Sequence, residues 1–575
     1  MAFPMAPTPN TDRIQLVTPH VGRNVLPNCP LFTKLLRFAR RNHIAIRDNI
    51  LQVEKSYGDL LADVLAYRAY LESSLSKDVL QRIERNEEVY VGILAAGGYE
   101  FTVGILAVIA LGAAVVPMTT QNPVAEGAYF VQKARQVAIV HSSSATKLAH
   151  SIMAYVNDRG SNVQCLNILP HLPKESNLTP YDISISSTRN LDGNAPGVVI
   201  FTSGTTGKPK GSVMRRLYID ENATAVGDGY DIVPTDVGLH VLPVHHTTGL
   251  GTSFFAFLNF GACIEFKTDS FDPEWIWNRF KAGGITVFSA VPTIYMRLQW
   301  YFEKHIAILP PAEKAAYVAA ARKLRAVLCG SSALSASVQT FWTNLRQQPI
   351  LARYGASELP GCIKVSAEPD PNLPVGSIGT VIPGLEVKLT EGDQGELLVK
   401  SPWMFCKYLY DDKATLEAHD EQGYFKTGDI ARREGPYYFI LGRASVDIIK
   451  SGGYKISALD IEREILELPY VSEATVVGVA DEEFGQRVAA AVLLKGEQGS
   501  KAGFTIDDLR EDLRQKLPGY KLPTVLRVVD AELPKGPTGK IQKKILGPKL
   551  FPVHGWRESK EIQVWEKKVV ARASL

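Results

Sequence analysis

A loop rich in glycine, hydroxyl and lysine side chains offers the clearest chemistry in this sequence. It spans residues 201–211, FTSGTTGKPKG, and follows the apolar run GVVIF. Glycines let the backbone curl so that several N–H groups point at one anion, and hydroxyl and ammonium groups add donors. Lys208 is followed by Pro209 rather than by Ser or Thr, so this is not the common NTPase loop. The segment predicts a polyphosphate site, with a flexible polar loop as the alternative.

Four later segments place charged side chains in glycine-rich turns. They are Tyr354-Gly355-Ala356-Ser357-Glu358, residues 423–429, residues 442–462 and residues 533–540. A carboxylate such as Glu358 suits Mg²⁺, and an acceptor-only carboxylate such as Asp429 suits two sugar hydroxyls. Taken singly, Glu358 could equally be a solvated acid and Asp429 an ordinary turn residue.

The five segments, in this order, resemble the motifs of the adenylate-forming enzymes, which include acyl-CoA synthetases, luciferases and peptide-synthetase adenylation domains. The resemblance covers about residues 30–550. It implies that a carboxylic acid attacks ATP to form an acyl-adenylate and pyrophosphate, and that CoA then displaces AMP. It also implies ATP, Mg²⁺ and coenzyme A as cofactors and co-substrates. Because the acid and ATP are both anions, catalysis must position them and offset their charge.

The resemblance assigns roles to residues of this chain. Lys540 is expected to bridge the attacking carboxylate and the α-phosphate, with Glu358 on Mg²⁺ and Thr205 in the phosphate loop as further catalytic residues. Tyr354 is expected to stack on adenine and Asp429 to bind the ribose. The expected ATP-binding residues are Thr202, Ser203, Gly204, Thr205, Thr206, Gly207, Lys208, Lys210, Ser331, Tyr354, Gly355, Ser357, Glu358, Asp429, Arg443 and Lys540.

The second half-reaction is expected to need rotation of a C-terminal lid about a hinge, so that CoA can reach the adenylate. The expected acid- and CoA-binding residues are His246, Arg297, Gly452, Gly453 and Lys455. The hinge position that usually carries Asp or Lys is occupied here by Ser445.

The sequence gives less information on which carboxylic acid is the substrate. Residues 289–298 and 442–450 resemble those of malonyl-CoA and methylmalonyl-CoA synthetases, and Arg297 could pair with a second carboxylate or could simply face solvent. Thr248 and Ala356 depart from the His and Met of that group, and Leu359-Pro360-Gly361 is also unusual. A medium-chain or specialised-metabolite acyl-CoA ligase is therefore one alternative. Others are a stand-alone adenylation enzyme that loads a carrier protein and a non-catalytic binding module.

The elements that must hold these residues are short apolar strands alternating with helical stretches. This alternation predicts an α/β fold with parallel-rich sheets, a small β subdomain after about residue 375, and a small mobile α+β lid. Residues 103–118 are expected to form a buried helix running into a buried strand. The expected domains are an N-terminal extension 1–30, an AMP-binding domain 31–442, a lid domain 443–550 and a tail, or final helix, 551–575.

Composition narrows the function classes. Hydrophobic residues are 45% and charged residues 21% of the chain, which excludes wholesale disorder. A net charge of +3 and no basic–aromatic stripe give no reason to expect nucleic acid. Six scattered cysteines without CxxC fit a reducing compartment. No membrane span is expected, and a cytoplasmic protein is the default, with mitochondrial and peroxisomal locations left open. No oligomeric state is predicted.

Overall fold

The computed structural model describes residues 19–173, 177–202, 208–268, 270–331, 334–368, 370–452, 454–495, 504–535, 541–552 and 555–566. The described residues form four larger sheets and one strand pair. The pair is formed by Val25–Asn28 and Ser184–Asn190. No helix in these ranges combines the length and apolarity needed to cross a membrane.

The first sheet carries the phosphate-loop strands. Its strands, in spatial order, are Lys407–Tyr408, Lys210–Arg215, Pro196–Thr202, Ala114–Met118, Tyr90–Leu94, Ala138–His141 and Gln164–Asn167. The last five are parallel to one another, and Lys210–Arg215 is antiparallel to Pro196–Thr202. Ala114–Met118 and Tyr90–Leu94 are buried at every position, as expected of parallel strands covered on both faces.

The second sheet carries Tyr354 and Glu358 near one end. Its order is Thr380–Val381, Leu359–Lys364, Leu351–Ala356, Ala326–Cys329, Val287–Ala290, Val237–His240, Cys263–Phe266, Ile44–Asp48 and Val53–Ser56. The middle strands are parallel, and antiparallel hairpins close both edges.

Helices cover these two sheets. They are Pro30–Ala39, Tyr57–Ser74, Lys77–Glu84, Gly98–Leu111, Val124–Lys133, Thr146–Asn157, Ala223–Gly229, Ala256–Phe260, Pro273–Ala282, Pro292–Tyr301, Pro311–Lys323, Ala336–Arg346 and Asp412–Glu417, with π-helical turns at Tyr218–Asn222, Thr248–Phe255 and Phe302–Ile306. Every residue of Gly98–Leu111 is buried, and the chain then enters the strand Ala114–Met118. The prediction of a buried helix running into a buried strand is confirmed.

A small antiparallel sheet follows and leads into the C-terminal domain. Its strands are Glu386–Glu391, Gln394–Lys400, Phe425–Glu434 and Tyr437–Arg443. We use "C-terminal domain" for the elements from Ile448–Ser451 onward. Its sheet contains Tyr454–Ser457, Ile448–Ser451, Gly485–Leu494, Val525–Val529 and Ile562–Val564, with Val471–Asp481 paired to Gly485–Leu494. Its helices are Ala458–Leu466, Ile506–Leu513 and Lys543–Leu550.

The stretch expected to be a tail or final helix contributes a strand instead. Ile562–Val564 pairs antiparallel with Val525–Val529, and the backbone N–H of Trp565 donates to the carbonyl of Thr524 at 2.8 Å. The edge of the C-terminal sheet offers this segment backbone hydrogen-bond partners, and this pairing decides its conformation. The α/β fold with a smaller α+β C-terminal domain is otherwise as predicted.

Candidate active site

The phosphate loop joins two adjacent antiparallel strands. Thr202 ends one strand and lies directly opposite Lys210, which begins the next. Residues 203–207, and with them Ser203, Gly204, Thr205, Thr206 and Gly207, lie outside the described residues. Lys208 Nζ lies 5.3 Å from the ring centroid of Tyr129. The register places Lys210 at the mouth of a hairpin, and Lys208 lies two residues before it, so both ammonium groups can meet an anion there.

A single side chain, that of Tyr408, connects Glu358 to this hairpin. The hydroxyl of Tyr408 donates to Glu358 Oε1 at 2.7 Å, and Lys210 Nζ lies 5.0 Å from the Tyr408 ring centroid. Burial, followed by the Glu358 carboxylate, raises the pKa of Tyr408, so the phenol stays a donor. The backbone N–H of Phe405 binds the carbonyl of Glu358 at 2.9 Å. The structure thus brings together a carboxylate and an ammonium group that lie far apart in sequence.

Asp429 is the centre of a second polar cluster. It receives a hydrogen bond from the hydroxyl of Tyr354 at 2.6 Å and one from Arg443 Nε at 2.7 Å, each on a different carboxylate oxygen. Asp429 and Arg443 are direct cross-strand partners, which fixes their approach. Burial and then the Asp429 carboxylate raise the pKa of Tyr354 well above its usual value. For Arg443, burial acts to lower the pKa, but Asp429 outweighs it and raises it.

Ser331 lies beside the Tyr354 strand. It follows the strand Ala326–Cys329, which runs parallel to Leu351–Ala356, and its φ of 73° is in the left-handed region. Its hydroxyl lies 3.0 Å from that of Thr248, the residue that replaces the expected second histidine. His246 begins the same turn, and its carbonyl accepts from the N–H of Leu250 at 2.9 Å. Ser331 and the turn that starts at His246 therefore meet at this site.

The remaining expected residues lie on or near the C-terminal domain. Arg297 Nη2 lies 3.0 Å from Glu532 Oε2, so its guanidinium has a carboxylate partner from that domain. Lys455 Nζ lies 3.5 Å from Glu391 Oε1. Gly452 has a φ of 55°, which favours glycine. Gly453 and Lys540 lie outside the described residues.

Two basic residues near the site were missed by sequence reasoning. Lys543, although 96 positions away in sequence, contacts Asp447, two residues after the hinge position Ser445, and Arg353 donates to Thr252. The only sequence signal was their position, since Arg353 precedes Tyr354 and Lys543 follows Lys540 by three residues.

Family models match most of the chain. A model described as AMP-binding enzyme matches residues 39–409, and one described as AMP-binding enzyme C-terminal domain matches residues 460–540. The chain belongs to the AMP-binding enzyme family. The predicted class, an AMP-forming acid–thiol ligase that uses ATP and CoA, is confirmed by this membership and by the relatives described next.

Two relatives with similar sequences and one solved structure with a similar fold illustrate this membership. A malonate–CoA ligase of Arabidopsis thaliana is 34% identical over 493 residues, covering 80% of this chain and 78% of that protein. A mitochondrial malonate–CoA ligase of Homo sapiens is 31% identical over 491 residues, covering 80% and 82%. The crystal structure of ATP-bound MatB from Rhodopseudomonas palustris superimposes with a TM-score of 0.72 at 26% identity, covering 89% of this chain and 98% of that one.

Proposed function

We propose that this protein activates a short dicarboxylic acid, malonate or a close relative, with ATP and transfers it to CoA. The observation that carries the proposal is the closeness of the Glu358 and Asp429 clusters, since Arg443 of the second interacts electrostatically with Glu358 and Tyr408 of the first, in a chain whose relatives include malonate–CoA ligases. We assign the Glu358 cluster to the phosphates of ATP and the Asp429 carboxylate to its ribose.

The first half-reaction depends on offsetting charge. Lys208 and Lys210 attract the phosphates, and Glu358 offers a hard oxygen ligand to Mg²⁺, which prefers one or two carboxylates together with phosphate oxygens. Asp429 binds the ribose, held in place by Tyr354 and Arg443. Lys540 places an ammonium group between the acid carboxylate and the α-phosphate, where negative charge accumulates in the transition state.

The second half-reaction depends on the lid domain, for which we propose residues 443–550. Gly452 and Gly453 would leave room for the pantetheine arm, and Lys455 would lie beside it. For the compartment we propose the cytoplasm, and the mitochondrial malonate–CoA ligase of Homo sapiens makes a mitochondrial location the alternative to be tested by fractionation.

The dicarboxylate part of the proposal needs a cation for the second carboxylate. Sequence analysis suggests Arg297, on the helix Pro292–Tyr301, as this cation. In this structure its guanidinium already pairs with Glu532. Ala356 in place of a methionine leaves extra room, which supports longer acids as a second candidate class.

The test is a pyrophosphate-release screen with malonate, methylmalonate, succinate and monocarboxylic acids of C4 to C16, followed by detection of acyl-CoA. Turnover of malonate or a relative with CoA product supports the proposal. Inert malonate with active octanoate would establish the medium-chain alternative. Adenylate without acyl-CoA would indicate loading of a carrier protein, and no pyrophosphate with any acid would refute ligase activity.

A further inference from the structure

A side chain of the C-terminal domain completes the first turn of a helix in the larger part of the chain. The helix Ala336–Arg346 begins at the N-cap Ser335, whose hydroxyl accepts from the N–H of Val338 at 3.4 Å. The N–H of Ser337 points out of the helix, because the first N–H groups of an α-helix have no acceptor within it. Glu467 Oε1 accepts from this N–H at 2.7 Å. Since Glu467 lies 130 residues further along the chain, beyond the hinge, this contact joins the two parts of the molecule.

The charge of Glu467 suits the end of the helix that it contacts. The first turn, Ala336-Ser337-Val338-Gln339, contains no acidic residue, although the partial positive charge at a helix N-terminus favours one. A hydrogen bond from an N–H group to a carboxylate is also roughly twice as strong as one between neutral groups. Glu467 is half-buried at the C-terminal end of the helix Ala458–Leu466. One domain therefore supplies the carboxylate that the first turn of a helix in the other domain lacks.

A second side chain from the same region of the C-terminal domain also reaches the larger part of the chain. Arg463 lies four positions before Glu467, so both side chains are on one face of the helix. A Cβ on Gly376 would lie 3.1 Å from Arg463 Nη1, which shows that the guanidinium lies close to the backbone there. Gly376 has a φ of 80°, a conformation that favours glycine. One face of the helix Ala458–Leu466 is thus docked on the larger part at two points.

A third contact holds the segment that leads to Lys540. Arg297 Nη2 lies 3.0 Å from Glu532 Oε2. The helix that carries Arg297 is fixed to the second sheet, since the hydroxyl of its Tyr295 donates to the carbonyl of Leu328 at 2.7 Å. The strand that contains Leu328 leads directly to the candidate site. Glu532 is therefore held at the end of the sheet where the nucleotide is proposed to bind.

The same segment is fixed to the sheet of the C-terminal domain. Lys535 pairs with Glu473, which belongs to that sheet, and its backbone forms a bridge with Ile541, the residue after Lys540. A movement of the C-terminal domain therefore carries the base of the Lys540 segment with it. In the present orientation that base lies beside the candidate site, which is where the first half-reaction needs an ammonium group.

We infer that Glu467 is a positioning residue that holds the C-terminal domain in the orientation of the first half-reaction. The inference rests on the two half-reactions of the proposed function and is independent of which acid is used. Rotation about the hinge separates all three contacts, because each joins a residue before the hinge to one after it. The pair of Arg297 and Glu532 is 38% and 62% exposed, and such surface pairs contribute little. The half-buried Glu467 bond is therefore the contact to test.

The experiment measures the two half-reactions separately in Glu467→Ala, with the acid that the wild type uses best. Pyrophosphate release without CoA follows the first step, and conversion of supplied acyl-adenylate to acyl-CoA follows the second. We expect the ratio of the first rate to the second to fall by about 5- to 20-fold, because the first orientation is less populated. The KM for ATP and for the acid should stay unchanged. Glu467→Gln, which keeps an oxygen acceptor without the charge, should restore part of the ratio.

A variant of the donor and a matched control accompany it. Ser337→Pro removes the N–H that Glu467 accepts, and proline is tolerated in the first turn of a helix. It should lower the ratio to a similar extent, and the double variant should lower it no further than Glu467→Ala alone. Glu511→Ala, which removes an exposed glutamate paired with Arg514 inside the C-terminal domain, should keep the wild-type ratio.

The second half-reaction also reports whether the variants are folded, since it uses the same active site and the same domain. An unchanged ratio in Glu467→Ala, an equal loss in both half-reactions or additive losses in the double variant would overturn the inference. A wild type that uses only monocarboxylic acids would refute the dicarboxylate proposal alone, since the Glu467 ratio is then measured with such an acid. A wild type that releases no pyrophosphate with any acid would refute the proposed function, and the inference would fall with it.

Discussion

Lys543 Nζ lies 2.6 Å from Asp447 Oδ1, which joins the helix that follows Lys540 to the hinge after Arg443. The ammonium group also lies 2.8 Å from Glu462 Oε1, and the backbone N–H of Arg443 donates to the other oxygen of Asp447 at 3.0 Å. The Lys543 side chain is only 9% exposed. The hinge, the first helix of the C-terminal domain and the segment after Lys540 therefore meet at one buried ion cluster.

Replacing Lys543 should destabilise this cluster. Burial acts to lower the pKa of Lys543, but Glu462 and Asp447 outweigh it and raise it, so the side chain is charged at neutral pH. Lys543→Met leaves two buried carboxylates unpaired, and we expect the C-terminal domain to lose about 3–5 kcal/mol of its free energy of unfolding. Hydrogen–deuterium exchange of its sheet measures this loss. The exposed Lys549→Met is the control, and equal protection in both variants would contradict the expectation.

Replacing Lys540 should slow the first half-reaction much more than the second. We expect Lys540→Ala to lower the rate of adenylate formation by about 10²–10³-fold, because the ammonium group no longer offsets charge at the α-phosphate. Conversion of added acyl-adenylate to acyl-CoA should be affected far less. ATP–pyrophosphate exchange and a thioester assay measure the two steps. Equal losses in both would mean that Lys540 does not act in adenylation alone.

Asp429 should control nucleotide affinity. Asp429→Asn removes the charge that Arg443 and Tyr354 hold in place, and we expect kcat/KM for ATP to fall by about 100-fold. Tyr354→Phe removes one hydrogen bond and should raise the KM for ATP by only about fivefold. Initial rates at varied ATP give both values. A larger loss for Tyr354→Phe than for Asp429→Asn would place the nucleotide elsewhere.

Ala356 should set the length of acid that the site accepts. Ala356→Met fills space beside the Tyr354 strand, and we expect kcat/KM for octanoate to fall by at least about 10-fold. Malonate, which is much shorter, should lose less. Competition between the two acids in one reaction measures the change directly, and a larger loss for malonate would refute a role for Ala356 in acid length.

Asp481 should make the C-terminal domain sensitive to acid. Burial acts to raise its pKa, but the backbone N–H of Phe484 and the Arg487 guanidinium outweigh burial and lower it to about 2. Arg557 from the last segment also pairs with it. Because the folded-state pKa is the lower one, the stabilisation is complete above about pH 4 and is lost as the pH falls toward 2.

Two proteins test this pH dependence. The wild type should lose about 2 kcal/mol more than Asp481→Asn when unfolding is compared at pH 6 and at pH 2.5. Urea titration at each pH supplies the values, provided that the C-terminal transition is followed separately. Parallel pH profiles for the two proteins would show that Asp481 contributes nothing in this range.

Sequence by itself determined the parts that depend on neighbouring residues. The buried helix and strand within residues 103–118 and the α+β character of the C-terminal domain follow from local apolar period and turn residues. The family motifs could also be recognised from the sequence, because each is a short continuous run of residues. A loop that binds phosphate, for example, needs its glycines and hydroxyls next to one another.

Tertiary structure alone decided which distant side chains meet. Lys543 and Asp447 are 96 residues apart, Arg297 and Glu532 are 235 apart, and Arg353 and Lys364 oppose each other only through the register of one hairpin. Strand pairing also made residues 562–564 an edge strand, where the sequence predicted a tail or final helix. Local propensity is weak compared with the free energy of completing a sheet and burying a charge beside its partner, and these depend on the whole folded chain.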